Sequence, residues 1–404
     1  MAAKVQQLES VVIRSLRRFK ERYFPDKLVQ DDLMPTEDSQ QQQQTGLLDF
    51  LPVDLQFLIM TFLSPADICR LGATSCYWRA MVRDPLLWRY FLLRDMPYWS
   101  SIDNVTMPRL EMLDAPLSSD DESPDDMEEG GDKRMELKFD YMSEYLKACP
   151  SSRQQWLPSR PAYEVVTSFL QSLVPSSEPR YAMFGPGMEQ LDVSLVTRLM
   201  HAPDVLPVSG TPHRQINGIG SGISYMFNNQ HKFNILTLYS TNRAERERAR
   251  QQQVSISNKL FTIERTDESG CPVYSPAPQV QQVCQAVDGF IYVANAEPGK
   301  GDGESEEAQI RAVLNCAGGS TPKPLLVLSC VSREQPQAIS QQNDEADEGG
   351  RRCRTPCVHM AQRLGLPKIT NRWMVQDTVA ESLSGLLDGI SWLLKCSGVK
   401  LYGS

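Results

Sequence analysis

The chain has 404 residues, of which 41% are hydrophobic and 23% are charged. At about 150 residues per domain this length corresponds to two or three domains, and the hydrophobic share is ordinary for a globular chain. The 41 basic and 50 acidic residues leave a formal net charge of −9, which argues against nucleic acid and anionic membranes as partners. No run reaches the roughly 20 apolar residues of a membrane-spanning helix. Basic residues between Arg14 and Lys20 interrupt the N-terminal apolar run, unlike in a signal peptide.

The ten cysteines show no regular spacing, which predicts reduced thiols and a cytoplasmic protein, with the nucleus as a second compartment. Cys353, Cys357 and His359 are spaced like part of a zinc site, but a fourth ligand is not nearby. The four histidines are scattered, and none has the sequence context of an activated nucleophile. We therefore expect no metal, no other cofactor and no catalytic residue in this chain.

Composition divides the chain into segments. Residues 1–24 have an amphipathic pattern that predicts a dimerisation segment, with a membrane-surface helix as the alternative, and residues 25–45 form a polar linker. Residues 46–95 predict a small helical domain. Residues 96–160 predict a helical linker with a disordered acidic stretch at 114–135. Residues 161–396 alternate helical and strand patterns, with a disordered insertion at about 333–354.

The domain at 46–95 carries repeated helix-start signals, in which a serine or aspartate N-cap is followed by proline at the first helical position. The signals are Pro52, Ser64 with Pro65, Thr74 or Ser75, and Asp84 with Pro85. The domain has more large apolar side chains than a unit of about 45 residues can bury. This surplus predicts docking, either on a partner or on the rest of the chain.

The order and spacing of residues from Leu51-Pro52 to Asp84-Pro85 and Trp88 closely resemble the F-box. The resemblance implies a small helical domain that binds the S-phase kinase-associated (Skp) adaptor and, through it, the cullin and RING subunits of an SCF ubiquitin ligase. It also implies a set of residues that either contact the adaptor or form the core of the domain, a division that the sequence leaves open. They are Leu51, Pro52, Leu55, Ile59, Leu63, Pro65, Ile68, Leu71 and Trp78.

The region 161–396 predicts a six-stranded, doubly wound α/β sheet with helices on both faces. The predicted strands are 180–184, 223–227, 233–239, 290–294, 325–331 and 373–375, and the predicted helices are 163–173, 188–200, 244–261, 279–287, 360–364 and 378–394. In the expected strand order 223–227 and 373–375 form the edges, and an edge strand can accept a strand from a partner. The candidate substrate-binding residues are therefore Ile223, Tyr225, Phe227, Trp373 and Val375.

A glycine loop follows the first of these strands, as in a small GTPase, but the nucleotide chemistry is missing. After Gly185 and Gly187, the positions that a P-loop fills with glycine, lysine and serine or threonine hold Gln190, Leu191 and Asp192. The strand ending at 239 lacks a Walker B aspartate, and residues 330–333 lack a guanine-selecting motif. The fold class is therefore α+β multidomain, with a small all-α domain followed by a small-GTPase-like domain that has a degenerate nucleotide loop.

The combination resembles those members of the F-box family whose C-terminal half is a GTPase-like domain without nucleotide. Runs at 86–95, 183–187, 229–235 and 288–296 carry this resemblance. It implies a non-catalytic, homodimeric substrate receptor that promotes ubiquitination and proteasomal degradation of a telomeric repeat-binding factor and of D-type cyclin. A nucleotide-dependent switch protein and a scaffold outside any ligase are the alternatives.

Overall fold

The computed structural model describes residues 47–114, 139–155, 178–210, 221–239, 260–266, 272–299, 303–318, 321–334 and 354–401. The chain divides into two compact units, one of residues 1–96 with 108–149 and one of residues 97–107 with 150–404. Some predictions lie outside the described residues: the segment 1–24, the linker 25–45, nearly all of the acidic stretch, the helix at 163–173, most of the helix at 244–261 and most of the insertion at 333–354. None of the described helices is long and apolar enough to span a bilayer.

The first unit is built from short helices, as predicted. A 3-10 helix at Leu47–Phe50 precedes α1 (Val53–Phe62), α2 (Pro65–Gly72), α3 (Cys76–Met81) and α4 (Pro85–Asp95), and α5 (Glu111–Asp114) and α6 (Tyr141–Ala148) follow. The predicted caps are confirmed, because the side chains of Ser64, Ser75 and Asp84 accept hydrogen bonds from N–H groups in the first turns of α2, α3 and α4.

Trp88 anchors the core of this unit. Its side chain is fully buried, and the indole Nε1 donates to the carbonyl oxygen of Val82 over 2.6 Å. The Trp88 ring lies 5.7 Å from the ring of Phe91 and 5.4 Å from the ring of Tyr145, so α4 packs on α6 through aromatic contacts. Part of the region predicted as a linker therefore belongs to the core of the unit.

The second unit is a mixed α/β unit with a large sheet. Its strands are β1 (Ser101–Asp103), β2 (Arg180–Phe184), β3 (Val208–Gly210), β4 (Ser221–Phe227), β5 (His231–Thr237), β6 (Phe261–Thr266), β7 (Pro272–Pro276), β8 (Gly289–Asn295), β9 (Leu325–Val331) and β10 (Trp373–Val379). Within the described ranges, eight strands form one sheet in the order β1-β10-β9-β8-β2-β5-β4-β3, and β6 pairs with β7 in a separate antiparallel hairpin. Strands β10, β9, β8, β2 and β5 are parallel, and the pairing is antiparallel toward both edges.

Helices cover both faces of this sheet, as predicted. The helices of the second unit are α7 (Pro150–Gln155), α8 (Gly187–Gln190), α9 (Leu195–His201), α10 (Pro278–Ala286), α11 (Gly303–Cys316), α12 (Cys357–Arg363) and α13 (Leu386–Cys396). On one face, Ile291 of β8 belongs to an apolar core with Leu393 of α13. On the other face, the neighbouring Tyr292 is fully buried, and its ring centroid lies 5.2 Å from that of Phe184 of β2. Successive strand residues point to opposite faces, so the two cores are separate layers.

The prediction of a six-stranded sheet is wrong, although all six predicted strands are present. β1 pairs with the outer side of β10, and β3 pairs with the outer side of β4. The strands at 223–227 and 373–375 are therefore not edges of the sheet. Each added strand has only three residues, which is too short for a periodic pattern to indicate.

Two predicted helices also differ from the structure. The predicted helix at 188–200 is divided into α8 and α9, because Leu191 is extended and the Ser194 side chain caps α9. The predicted helix at 378–394 is shorter, because β10 continues into its first two residues and α13 begins at Leu386.

Hydrophobic periodicity also misses α11 and the β6–β7 hairpin. Phe261, expected at the end of a helix, begins β6. Helix α11 opens with acidic residues, and its buried apolar side chains, Ile310 and Val313, are too few to set a pattern.

Replacing Ile68 and Leu55 by alanine distinguishes the core of the first unit from its surface. Ile68 is fully buried, whereas Leu55 is 45% exposed. We expect Ile68→Ala to lower the free energy of unfolding by about 2 to 5 kcal/mol, since it leaves a cavity. Leu55→Ala should change the free energy of unfolding by no more than about 0.5 kcal/mol. Chemical denaturation measures both, and equal destabilisation by the two variants would contradict the assignment.

Candidate partner-binding surfaces

Helix α1 presents apolar side chains on two faces. Toward the interior of the unit, apolar side chains from Val53 to Met60 are buried. Toward solvent, Leu55, Leu58 and Phe62 are 45%, 48% and 82% exposed. Residues three or four positions apart share one side of a helix. The inner face builds the core, and the outer face is available to a partner.

The 3-10 helix before α1 carries two further exposed apolar residues. Gln56, only 1% exposed, holds this segment against α1, since its Nε2 donates to the Leu48 carbonyl oxygen over 2.9 Å. The Gln56 Oε1 accepts a hydrogen bond from the hydroxyl of Tyr77. Leu48 and Phe50 are 40% and 73% exposed. The apolar stripe is defined here as Leu48, Phe50, Leu55, Leu58 and Phe62.

Arg94 holds the other end of α1. Its Nη1 donates to the Thr61 carbonyl oxygen over 2.7 Å, while Nε and Nη2 bond the carboxylate of Asp95. The guanidinium carbon lies 4.5 Å from the centroid of the Phe91 ring, within cation–π range. Carbonyl groups in the last turn of a helix lack partners within the helix, so Arg94 caps α1 beside Phe62.

A polar cluster adjoins the stripe at the start of α2. The Ser64 hydroxyl donates to the Asp67 carboxylate over 2.7 Å, and Arg70 Nη1 donates to the same carboxylate over 2.6 Å. The hydrogen bonds from Ser64 and Arg70 hold the pKa of Asp67 below its ordinary value. Asp67 therefore stays charged at neutral pH, and the stripe has a charged group at its side.

The structure separates the residues that the F-box resemblance assigns jointly to adaptor contact or core. Ile68 and Trp78 are buried and belong to the core, whereas Pro52 and Leu55 are exposed. The others are half-buried: Leu51, Ile59, Leu63, Pro65 and Leu71. Four exposed residues of the stripe are missing from the predicted set: Leu48, Phe50, Leu58 and Phe62. For Leu58 and Phe62 the signal in the sequence is that α1 is apolar on two sides, more than its core requires.

In the second unit, the glycines of the degenerate nucleotide loop are explained by close packing on β8. Gly185 has a φ of 126°, and a Cβ there would lie 2.5 Å from the carbonyl oxygen of Val293. A Cβ on Gly187 would lie 2.9 Å from the same oxygen. Real Cβ atoms do not approach a carbonyl so closely, so only glycine fits at either position.

The other groups of this loop bond to the protein itself. The N–H groups of residues 188–190 donate to carbonyl oxygens of residues 185 and 186. Leu191, at the position of the P-loop lysine, is fully buried. The Gln190 side chain accepts from Asn295 over 3.3 Å, and the Asp192 N–H donates to Ser332 Oγ over 3.1 Å. A phosphate cradle needs a series of available N–H groups and a cation. In this loop four N–H groups are already bonded within the protein, and the lysine position holds a buried leucine.

Arg354 and Asp377 form an internal ion pair near the end of β9, where a small GTPase would have its guanine-selecting motif. Arg354 Nη2 donates to the Ser329 carbonyl oxygen over 2.5 Å and lies 3.0 Å from Asp377 Oδ1. Burial raises the pKa of Asp377, although the Arg354 guanidinium acts in the opposite direction. Cys357 of the zinc-like triplet donates its thiol hydrogen to Asp377 Oδ1 over 3.0 Å. No group of three or more His, Cys, Asp and Glu side chains in the described part of the chain is placed to hold a metal.

The residues predicted to accept a substrate strand lie inside the sheet. Tyr225, Phe227, Trp373 and Val375 are buried, and Ile223 is half-buried. These residues were assigned to substrate binding because their strands were expected at the two edges of the sheet. That expectation is wrong, since β1 and β3 occupy the edges.

The two outermost strands differ in accessibility. Ile102 of β1 is fully buried, whereas all three residues of β3 are exposed. The N–H of Met226 donates to the Pro207 carbonyl oxygen over 2.9 Å. By the alternation of an antiparallel ladder, the N–H and C=O of Val208 then point away from β4. Within the described residues, β3 is the accessible edge of the sheet.

Comparison with known proteins places the chain in one family. An F-box-like family profile matches residues 48–94, which include the whole apolar stripe. The chain is 47% identical to F-box only protein 4 of Mus musculus over 355 residues, which are 87% of this chain and 85% of that protein. It is 48% identical to F-box only protein 4 of Bos taurus and 47% identical to that of Homo sapiens, each over 87% of this chain and 84% of the relative. With this identity over most of both chains, the protein belongs to the F-box only protein 4 family.

Proposed function

We propose that this chain is the substrate-recognition subunit of an SCF ubiquitin ligase. Its first unit binds the Skp adaptor, which links it to the cullin and RING subunits, and its second unit binds the target protein. The chain performs no covalent step. It accelerates ubiquitin transfer by raising the effective concentration of a target lysine near the charged conjugating enzyme, and the proteasome then degrades the target.

The observation that carries this proposal is the apolar stripe. Its five side chains, 40 to 82% exposed, follow one helix and the turn before it. Fully burying one such side chain contributes about 1.5 to 3 kcal/mol, and protein interfaces concentrate their energy in a few central anchors of this kind. Asp67 and Arg70 at the side of the stripe match the polar rim that surrounds such anchors.

For the second unit we propose a small-GTPase-like fold that binds no nucleotide. Two findings support this. The six central strands follow the expected order, with 223–227 and 373–375 outermost among them. The loop after β2 is closed by its own hydrogen bonds and by its packing on β8.

We propose further that the target pairs with the outer side of β3. The backbone groups of Val208 that point away from β4 can bond an added strand, and the Val208 side chain is 45% exposed. Strand addition uses main-chain bonds for affinity and neighbouring side chains for selectivity.

The proposed targets are a telomeric repeat-binding factor and D-type cyclin, which would connect the protein to telomere maintenance and the cell cycle. These targets rest on the family resemblance. Homodimerisation through residues 1–24 and a location in the cytoplasm and nucleus belong to the same proposal, and residues 1–24 lie outside the described residues.

Shortening the stripe should weaken adaptor binding without unfolding the protein. We expect the double variant Leu58→Ala/Phe62→Ala to bind purified Skp adaptor at least about 30-fold more weakly, since two anchors worth about 1 kcal/mol or more each are lost. Met112→Ala is the matched control, because Met112 is an exposed apolar residue of the same unit outside the stripe. Calorimetry measures both affinities, and equal binding by the double variant and the control would refute the interface.

Guanine nucleotide should not bind. The loop lacks a cation, and the N–H groups of residues 188–190 are bonded within the protein. Titration of a fluorescent guanine nucleotide with magnesium should therefore show no saturable signal below about 100 µM, a Kd corresponding to roughly −5.5 kcal/mol. A small GTPase run in parallel is the positive control. Saturation in this range would instead favour the nucleotide-switch alternative.

Proline at β3 should prevent strand addition. Val208→Pro removes the N–H that points away from β4, so binding of a telomeric repeat-binding factor in a pull-down should fall by about tenfold or more, with Skp binding unchanged. Val208→Thr keeps the branched shape and the N–H and should bind like wild type. If the proline and threonine variants capture equal amounts of target, the β3 edge is not the binding site.

A further inference from the structure

Tyr145 of α6 is connected to the end of α1 through two other side chains. Its hydroxyl donates to Asp95 Oδ2 over 2.7 Å. The Asp95 carboxylate also accepts hydrogen bonds from Nε and Nη2 of Arg94, over 2.6 and 2.9 Å. Nη1 of Arg94 donates to the Thr61 carbonyl oxygen over 2.7 Å. The relay is defined here as Tyr145, Asp95, Arg94 and the Thr61 carbonyl group.

The first members of the relay are held firmly in place. Tyr145 is only 3% exposed, and its ring centroid lies 5.4 Å from that of Trp88 and 6.3 Å from that of Phe91. Burial and the neighbouring Asp95 raise the pKa of Tyr145, so the hydroxyl keeps its proton and acts as the donor. The Asp95 carboxylate bonds two nitrogen atoms of the Arg94 guanidinium. Since this group is planar, the third nitrogen is then directed at α1.

The hydrogen bond to Thr61 acts on the geometry of the apolar stripe. The last carbonyl groups of a helix lack partners within it, and a cation close to them is favourable. Thr61 is buried, whereas the next residue, Phe62, is 82% exposed and is the most exposed member of the stripe. Fixing the last turn of α1 therefore fixes the direction in which Phe62 projects. A side chain that already has its bound position loses less conformational entropy on binding.

Two members of the relay lie outside the F-box motif. The F-box-like profile ends at residue 94, Asp95 follows it directly, and Tyr145 is 50 residues farther along the chain. Their effect on α1 depends on the packing of α6 against α4, which the motif does not describe.

We propose that Tyr145 is a positioning residue for adaptor binding, acting through Asp95 and Arg94 on the last turn of α1. This inference rests on the proposed function, because it assumes that the apolar stripe binds the Skp adaptor. It adds a residue from beyond the F-box to those that set the affinity for the adaptor.

Tyr145→Phe tests the proposal, because it removes the hydroxyl and keeps the buried ring. If about two thirds of the unbound molecules then lose the bound arrangement of Phe62, the Kd for purified Skp adaptor rises about threefold. Calorimetry on the full-length protein measures this change.

Tyr141→Phe is the matched control. Tyr141 is also a buried residue of α6, and its hydroxyl donates to the Met112 carbonyl oxygen over 3.0 Å, a bond that does not involve α1. This variant also loses one hydroxyl hydrogen bond, but it should bind the adaptor like wild type. Equal Kd values for the two variants, whether raised or unchanged, would overturn the proposal.

A double-mutant cycle with Phe62→Ala distinguishes positioning from a general loss of stability. If Tyr145 acts through Phe62, adding Tyr145→Phe to Phe62→Ala should raise the Kd by less than about 1.5-fold, because coupled residues do not contribute additively. Adding it to Leu55→Ala, about two turns earlier in α1, should keep the threefold effect, since distant sites contribute additively. A threefold effect in both backgrounds would show that Tyr145 does not act through Phe62.

The same measurements separate this inference from the proposed function. If Phe62→Ala alone leaves the Kd unchanged, Phe62 is not an anchor, and both the proposed interface and the relay are wrong. If Phe62→Ala weakens binding while Tyr145→Phe does not, the interface stands and only the positioning role of Tyr145 is refuted.

Discussion

The apolar stripe exists because a ten-residue helix carries large apolar side chains on two faces while its unit can cover only one. The inner face is occupied by a core centred on Trp88, which packs on Phe91 and on Tyr145 of α6. A unit of this size has too little interior to hold a second layer of leucine and phenylalanine side chains. The outer face is held in place at both ends, by Gln56 and by Arg94. Adaptor binding in our proposal follows from this constraint.

The first unit exposes an apolar face, whereas the second unit fills its own candidate ligand site. Its side chains and backbone occupy the region where an α/β sheet commonly binds ligands. The glycine loop packs closely on β8, the N–H groups of residues 188–190 are bonded within the loop, and Arg354 pairs with Asp377 of β10. Because this region is filled by the protein itself, our proposal places target binding at an edge of the sheet. Of the two outer strands, β1 is largely covered and β3 is accessible, which is why our proposal moves target binding to β3.

The elements that could be predicted are those whose signal is local. Ser64, Ser75 and Asp84 cap their helices as expected, because a cap and the first turn involve adjacent residues. Strands β8 and β9 were predictable because buried parallel strands are continuous apolar runs. Strands β1 and β3 exist only through pairing with β10 and β4, and three residues do not form a period. Helix α11 begins with acidic residues and buries few apolar ones, so its pattern is weak.

The sequence by itself determined the helix caps, the apolar excess of the first unit, the central strands and the missing phosphate chemistry, since each depends on residue types at fixed short spacing. Only the tertiary structure decided which F-box residues face solvent and which strand is the open edge. Exposure and edge position depend on residues far apart in the chain. A pattern read along the chain records which side chains are apolar or reactive, and packing decides which of them are covered.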